Sequence, residues 1–368
     1  MKIPLYKPYI GNEEISAVMR VLQSKKLTRG QETEEFEKEF AKYSKKKYAI
    51  AINSGTSGLH ILVRTMGWKE GDEIITTPFS YIASANALLF EKITPVFVDI
   101  DISTLNIDIK KIEEKITPKT KGILLVHILG LPADVTALKK IKEKYNLQII
   151  EDACESIGVI GDDFKVSQIG EASVYGFHEN KQMTTFGEGG MIVTDNNDFA
   201  QKCRSMRDQG RSLKKDWINN VTLGFNFRMT EVQSAFGREQ LKRINDFLEK
   251  RERLSEKYAS LLSDIKGITT PQQMTPLRRS WFLYFVVFEK KEIRDYVHKE
   301  LEVVGINSSI NYFPPIYNFP MYVKCKKDCV NAEKISDTLL ALPMYFEMND
   351  IEVEEIVKVI KNSLIKFI

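Results

Sequence analysis

The chain has 368 residues, above the size at which a single hydrophobic core usually stops growing, so a large domain and a smaller one are expected. Its 53 Lys and Arg against 50 Asp and Glu leave a net charge of +3, spread along the chain, which argues against nucleic acid as the main partner. Cys154, Cys203, Cys325 and Cys329 form neither a metal-ligand nor a disulfide pattern, no apolar run reaches the ~18 residues of a membrane span, and the N-terminus lacks a signal peptide's apolar segment; a soluble protein in a reducing, cytoplasmic setting is expected.

After an extended start, apolar residues at helical spacing predict helices over 12–27 and 33–46, the second running into a strand, YAIAIN. The turn Asn53-Ser-Gly-Thr-Ser-Gly58 then opens an apolar helix. Free backbone N–H groups and hydroxyls at the positive end of a helix dipole make Gly55, Thr56 and Ser57 a natural cradle for an anion such as phosphate. Strands DEIITTP, TPVFVDID, KGILLVHIL and LQIIED alternate with helical segments, which predicts a mostly parallel sheet with helices on both faces. LQIIED ends on Asp152, ASVYGF leads to a loop holding Lys181, and GEGG returns the chain into MIVTD. Acid and amine are thus presented at neighbouring strand ends, where open α/β sheets bind ligands. From Thr230 the pattern changes to one or two long connecting helices. The strand SWFLYFVVF follows, then helices over 291–305, 331–343 and 349–367, a smaller α+β domain with its own core. The division is expected as 1–240 and 241–368.

An unprotonated lysine at a buried strand end is suited to forming a Schiff base, and a carboxylate facing a pyridine nitrogen keeps it protonated. Lys181, Asp152, the phosphate turn and an aromatic face from Tyr81 are together what pyridoxal 5′-phosphate (PLP) requires. Each has a plainer reading alone: a solvated lysine, a strand-end acid capping a helix, ordinary turn chemistry, a core aromatic. His127 and His178 lie near strand ends without metal-ligand spacing, and no metal is expected.

Nine segments standing in one order (NSGTSGLH, PFSYIASANA, TPVFVDID, IEDACESIG, FHENKQMTTFGEGG, LGFNFRMTEVQSA, RSWFLYFVV, YFPPIY, ALPMY) resemble the DegT/DnrJ/StrS nucleotide-sugar aminotransferases, PLP enzymes of the aspartate-aminotransferase fold. The wording is most similar to the branch that includes perosamine synthases. The resemblance implies that Lys181 bonds the cofactor and moves the proton, Asp152 pairs with the pyridine nitrogen and Tyr81 stacks on the ring. It also implies that Thr56 and Ser57 bind phosphate, Glu155 lies near the cofactor's O3′, and Asn226 reaches the cofactor phosphate of a neighbouring subunit. It further implies an amino-acid donor, glutamate in the family, a nucleotide-linked 4-keto-6-deoxy sugar aminated at C4 for surface polysaccharide, and a homodimer with shared active sites. Gly176, Glu179 and Tyr317 depart from the family's common serine, proline and histidine. A keto-sugar dehydratase or lyase, or a non-catalytic PLP-holding regulator, are the alternative readings. Retention of Lys181 favours transamination.

Overall fold

The computed structural model describes residues 2–158, 166–212, 219–271, 279–310, 314–325 and 328–367. Two helices, α1 (Asn12–Ser24) and α2 (Gln31–Tyr43), precede a strand and helix, β1 (Tyr48–Ile52) and α3 (Gly55–Thr65). The alternation continues with β2 (Glu73–Thr76), α4 (Ala83–Phe90), β3 (Thr94–Phe97), β4 (Thr120–Val126), α5 (Val135–Tyr145) and β5 (Gln148–Asp152). Next come β6 (Ala172–Gly176), β7 (Gly190–Thr194) and α6 (Asn197–Arg207). These strands form one sheet in the order β1-β7-β6-β5-β4-β2-β3, and only β7 runs against its neighbours. The chain turns back from β6 to β7 without the helix that usually carries a parallel crossover, so the two strands pair antiparallel.

Strand side chains alternate between two cores. Leu124 and Ile150 face the layer built on α3 and α4, whereas Ile123, Leu125 and Ile149 face the layer with Leu138 and Ile141 of α5. Helix ends follow local chemistry. The Asp134 carboxylate accepts from the amides of Thr136 and Ala137 to start α5, and Asn146 ends it in the left-handed region (φ 50°).

The connecting stretch from Thr230 is two helices, α7 (Glu231–Lys242) and α8 (Ile244–Leu262). Beyond it stand β8 (Ile268–Thr269), β9 (Tyr284–Phe288), α9 (Lys291–Val303), α10 (Val330–Thr338), β10 (Leu339–Leu342) and α11 (Asp350–Leu364), with a second, antiparallel sheet ordered β10-β9-β8. Tyr258, Val286, Val297, Leu340 and Ile356 share its core, and buried Ile3 joins them, bridging to Ile306.

Two expectations are corrected here. Residues 331–343 are not one helix: Leu339–Leu342 are all buried and pair antiparallel with β9, a fit that a helix, which turns some of four successive side chains outward, does not offer. The strand expected over 280–288 begins only at Tyr284, because Trp281 adopts φ 49° and carries the chain across to the first sheet. Tyr312 and Phe313 of the YFPPIY string lie outside the described residues.

Candidate active site

The site begins where three chain segments come too close for side chains. Gly190 of β7 pairs with both Ile52 of β1 and Gly176 of β6. A Cβ on Gly190 would lie 2.9 Å from Gly55 N, Ser54 C and Tyr175 O, all backbone atoms, so glycine lets the turn into α3 rest on the sheet edge. Ser54 caps α3: its Oγ accepts from the Ser57 amide at 3.1 Å and lies 2.8 Å from Ser57 Oγ. Gly55 and Thr56 line a cavity of about 470 Å3. Ser57 is not in that lining and is engaged with Ser54.

Opposite the turn, Asp152 ends β5 and is buried. Its Oδ2 accepts from Ser84 Oγ at 2.7 Å, and its Oδ1 accepts from the Cys154 amide at 3.1 Å. Lys181 enters the same cavity from the turn after β6. Its Nζ is 3.4 Å from Glu155 Oε1 and 3.9 Å from the centre of the Phe282 ring. Acid and amine therefore face one space, as expected of neighbouring strand ends. Glu155 is buried, and its Oε2 accepts from the Leu129 amide at 2.9 Å. Burial pushes its pKa up, with Lys181 and the Leu129 amide pulling against that.

Tyr81 lines the cavity at 65% exposure and is not a core aromatic. Asn226 is exposed, bridges to Asp208 by backbone, and is absent from the cavity lining. Gly176 has a physical explanation: a Cβ there would meet Cys154 Cβ at 3.1 Å and Sγ at 3.2 Å, and one on Gly55 would meet the same sulfur at 2.8 Å. The Cys154 side chain fills the space beneath the turn, and burial together with Asp152 pushes its pKa well above the ordinary value. Glu179 accepts from Tyr6 Oη at 3.2 Å, and Tyr317 is a core residue donating to Glu333 at 3.0 Å. Ser84, Cys154 and Phe282 were not anticipated. Ser84, three residues past Tyr81 in the first turn of α4, was the one within reach of sequence reasoning.

His127 is fully buried. Its Nδ1 accepts from the Ala133 amide at 3.1 Å and its Nε2 lies 2.8 Å from Glu151, on the sheet face opposite Asp152. Among the described residues, no group of three or more His, Cys, Asp or Glu side chains is placed to hold a metal ion.

A mostly parallel α/β sheet with a lysine, a buried carboxylate and a helix-start anion turn around one cavity defines the class of the α/β aminotransferases. The chain belongs to the DegT/DnrJ/EryC1/StrS aminotransferase family, which it matches over residues 8–361. It is 36% identical over 336 residues to the GDP-perosamine synthase of Caulobacter vibrioides, covering 90% of each chain. To the dTDP-4-amino-4,6-dideoxy-D-glucose transaminase of Shigella dysenteriae it is 35% identical over 355 residues, covering 95% of each. Among solved structures, Helicobacter pylori PseC, an aminotransferase involved in pseudoaminic acid biosynthesis, superposes with a TM-score of 0.94 at 30% identity over the whole of both chains.

Proposed function

We propose that the protein is a PLP-dependent aminotransferase that moves the amino group of glutamate onto C4 of a nucleotide-linked 4-keto-6-deoxy sugar, for surface polysaccharide. The observation that carries this reading is the convergence of Lys181 Nζ, the Asp152 carboxylate and the α3 turn on one cavity. The residues present fit the cofactor. Thr56 and the first amides of α3 would hold its phosphate, joined by Ser57 only if its hydroxyl turns from Ser54, with Asp152 at its ring nitrogen, Tyr81 on a ring face, and Lys181 at its aldehyde carbon through a covalent bond.

Bound there, PLP supplies an electron sink for the carbon that carries the amine. The chain's own residues do the rest. Ser84 and the Cys154 amide hold the Asp152 carboxylate in one orientation, so its charge faces the cavity without reorganisation. Lys181 Nζ takes and returns the proton at the reacting carbon, and the adjacent Phe282 face and Glu155 carboxylate limit where the amine can swing. Asn226 would act on a neighbouring subunit's cofactor, within a homodimer. Residues 1–240 would hold the cofactor and 241–368 form the smaller part, with α8 crossing between the two cores.

The test is to incubate the enzyme and glutamate with GDP-, UDP- and dTDP-linked 4-keto-6-deoxy sugars and follow the mass change from ketone to amine. One sugar is expected to be aminated with stoichiometric 2-oxoglutarate. Lys181→Ala should bind PLP without the absorbance of the lysine-bound form and without turnover. Loss of water from the sugar with no donor consumed, or full activity of Lys181→Ala, would overturn the assignment.

A further inference from the structure

Beside the cavity two loops meet backbone to backbone. Leu129 is left-handed (φ 53°, ψ 30°) and Gly130 follows at φ 78°; for leucine this conformation is costly. Facing them, Trp281 is left-handed as well. A Cβ on Gly130 would lie 2.8 Å from Trp281 N and 2.9 Å from Ser280 Oγ, and the Ser280 amide donates to Gly130 O at 2.7 Å.

Arg279 stands behind this contact, 3% exposed. Its Nη1 donates to Leu129 O at 3.1 Å, and its guanidinium lies 5.4 and 5.6 Å from the ring centres of Trp281 and Phe285. Burial pushes its pKa down to about 10. On the other side of the same Leu129 Cα, the amide donates to Glu155, whose second oxygen faces Lys181 Nζ. Gln182 Nε2 ties the assembly by donating to Glu155 O at 2.7 Å and Ser280 Oγ at 3.1 Å.

We propose that Arg279 is a positioning residue: by holding the Leu129 carbonyl it locks the left-handed turn whose amide fixes Glu155 opposite the Lys181 amine. A buried guanidinium costs desolvation, and here its directed hydrogen bond goes to a carbonyl that would otherwise be free to leave a strained conformation. Other titratable or charged groups around the pair are Asp152 and Cys154 from the end of β5, Tyr81, His178, Glu179 and Glu188 from the turn between β6 and β7, Lys7 and Tyr9 from the N-terminal segment, and Arg251 of α8, while Glu249 and Glu252 of α8 stand beside Arg279. The inference rests on Lys181 being the reactive amine.

Without the lock, Leu129 relaxes, the Glu155 anion loses a donor and takes up a proton more readily, and Lys181 loses its anionic partner. Its amine then reacts more readily with an electrophile. Removal of the Arg279 charge by itself acts the other way, since losing a nearby cation favours the ammonium form, so the sign of the effect separates the two. The test is the rate of reductive methylation of Lys181 in the cofactor-free chain, read by peptide mass spectrometry across pH, with folding checked by thermal melts.

At about pH 8, Arg279→Met and Glu155→Gln should each speed labelling about tenfold, while Arg279→Lys stays within about twofold of wild type. The double variant Arg279→Met/Glu155→Gln should label no faster than Glu155→Gln alone. Unchanged or slower labelling of Arg279→Met, an additive double variant, or an unaltered Glu155→Gln each overturns the relay. The last arm decides even where Arg279→Met does not fold. A wrong assignment of Lys181 itself shows separately, as borohydride-reduced cofactor attached to another peptide.

Discussion

Asp152 keeps its charge facing the cavity with two neutral donors, Ser84 Oγ at 2.7 Å and the Cys154 amide at 3.1 Å, and among the described residues it forms no ion pair inside the protein. A buried carboxylate left in this way is poised for a cation supplied from the cavity, the role proposed for a protonated ring nitrogen. Asp152→Asn keeps the shape but removes the charge. It should slow the first half-reaction with glutamate about a hundredfold or more, the scale seen when a preorganised electrostatic partner is lost. Ser84→Ala removes one neutral hydrogen bond and should cost about 1 kcal/mol, roughly fivefold. Stopped-flow absorbance after mixing with glutamate measures both. Near-normal rates in Asp152→Asn would remove it from the mechanism, and equal losses in the two variants would make Asp152 a structural group.

At the scale of elements, the anion turn depends on three backbone segments in contact, and Gly190 is where they meet. Gly190→Ala forces its methyl group against Gly55 N, Ser54 C and Tyr175 O, none of which is the far end of a flexible side chain. The start of α3 must move, and PLP affinity should fall by about tenfold or more, at least 1.4 kcal/mol. Fluorescence titration with PLP checks this, and unchanged affinity would place the phosphate elsewhere. The turn was legible in the sequence because its chemistry is local: Ser54 to Gly58 carry caps, hydroxyls and glycines in adjacent positions. The placement of Asp152 and Lys181 was legible for a related reason, since one closes a short apolar run and the other sits in the polar turn just after the next. Leu129, Arg279 and Phe282 were not. Their placement arises from a backbone contact between loops about 150 positions apart, and nothing periodic marks it. Leu339–Leu342 escaped similarly, since four apolar residues fit a buried helix or a strand until β9 is present to pair with them.

For the whole molecule, the exposed apolar surface and the position of Asn226 point in the same direction. Along α1, Ala17 and Val21 are buried in a cluster with Ala235 of α7, while Ile15, Met19 and Leu22 remain 55%, 49% and 50% exposed. Val221 and Leu223, 62% and 70% exposed, precede Asn226, which lines no part of the cavity formed by its own chain. In the proposed two-fold dimer such exposed apolar side chains would be covered and Asn226 would reach the partner's site. Lys181→Ala removes the amine from one site, and Asn226→Asp sets a carboxylate against the phosphate of a partner's site, so each homodimer should be inactive. In a mixed dimer, the site with Lys181 from the Asn226→Asp chain receives a normal Asn226 from the Lys181→Ala chain, while the other site carries both lesions. Each mixed dimer then has one intact site of two, so the purified mixed species should show about half of wild-type activity. If Asn226 served its own chain, both sites of the mixed dimer would remain broken and no activity would return. Co-expression of the two variants with distinct tags, purification of the doubly tagged species and assay of its turnover decides between these arrangements.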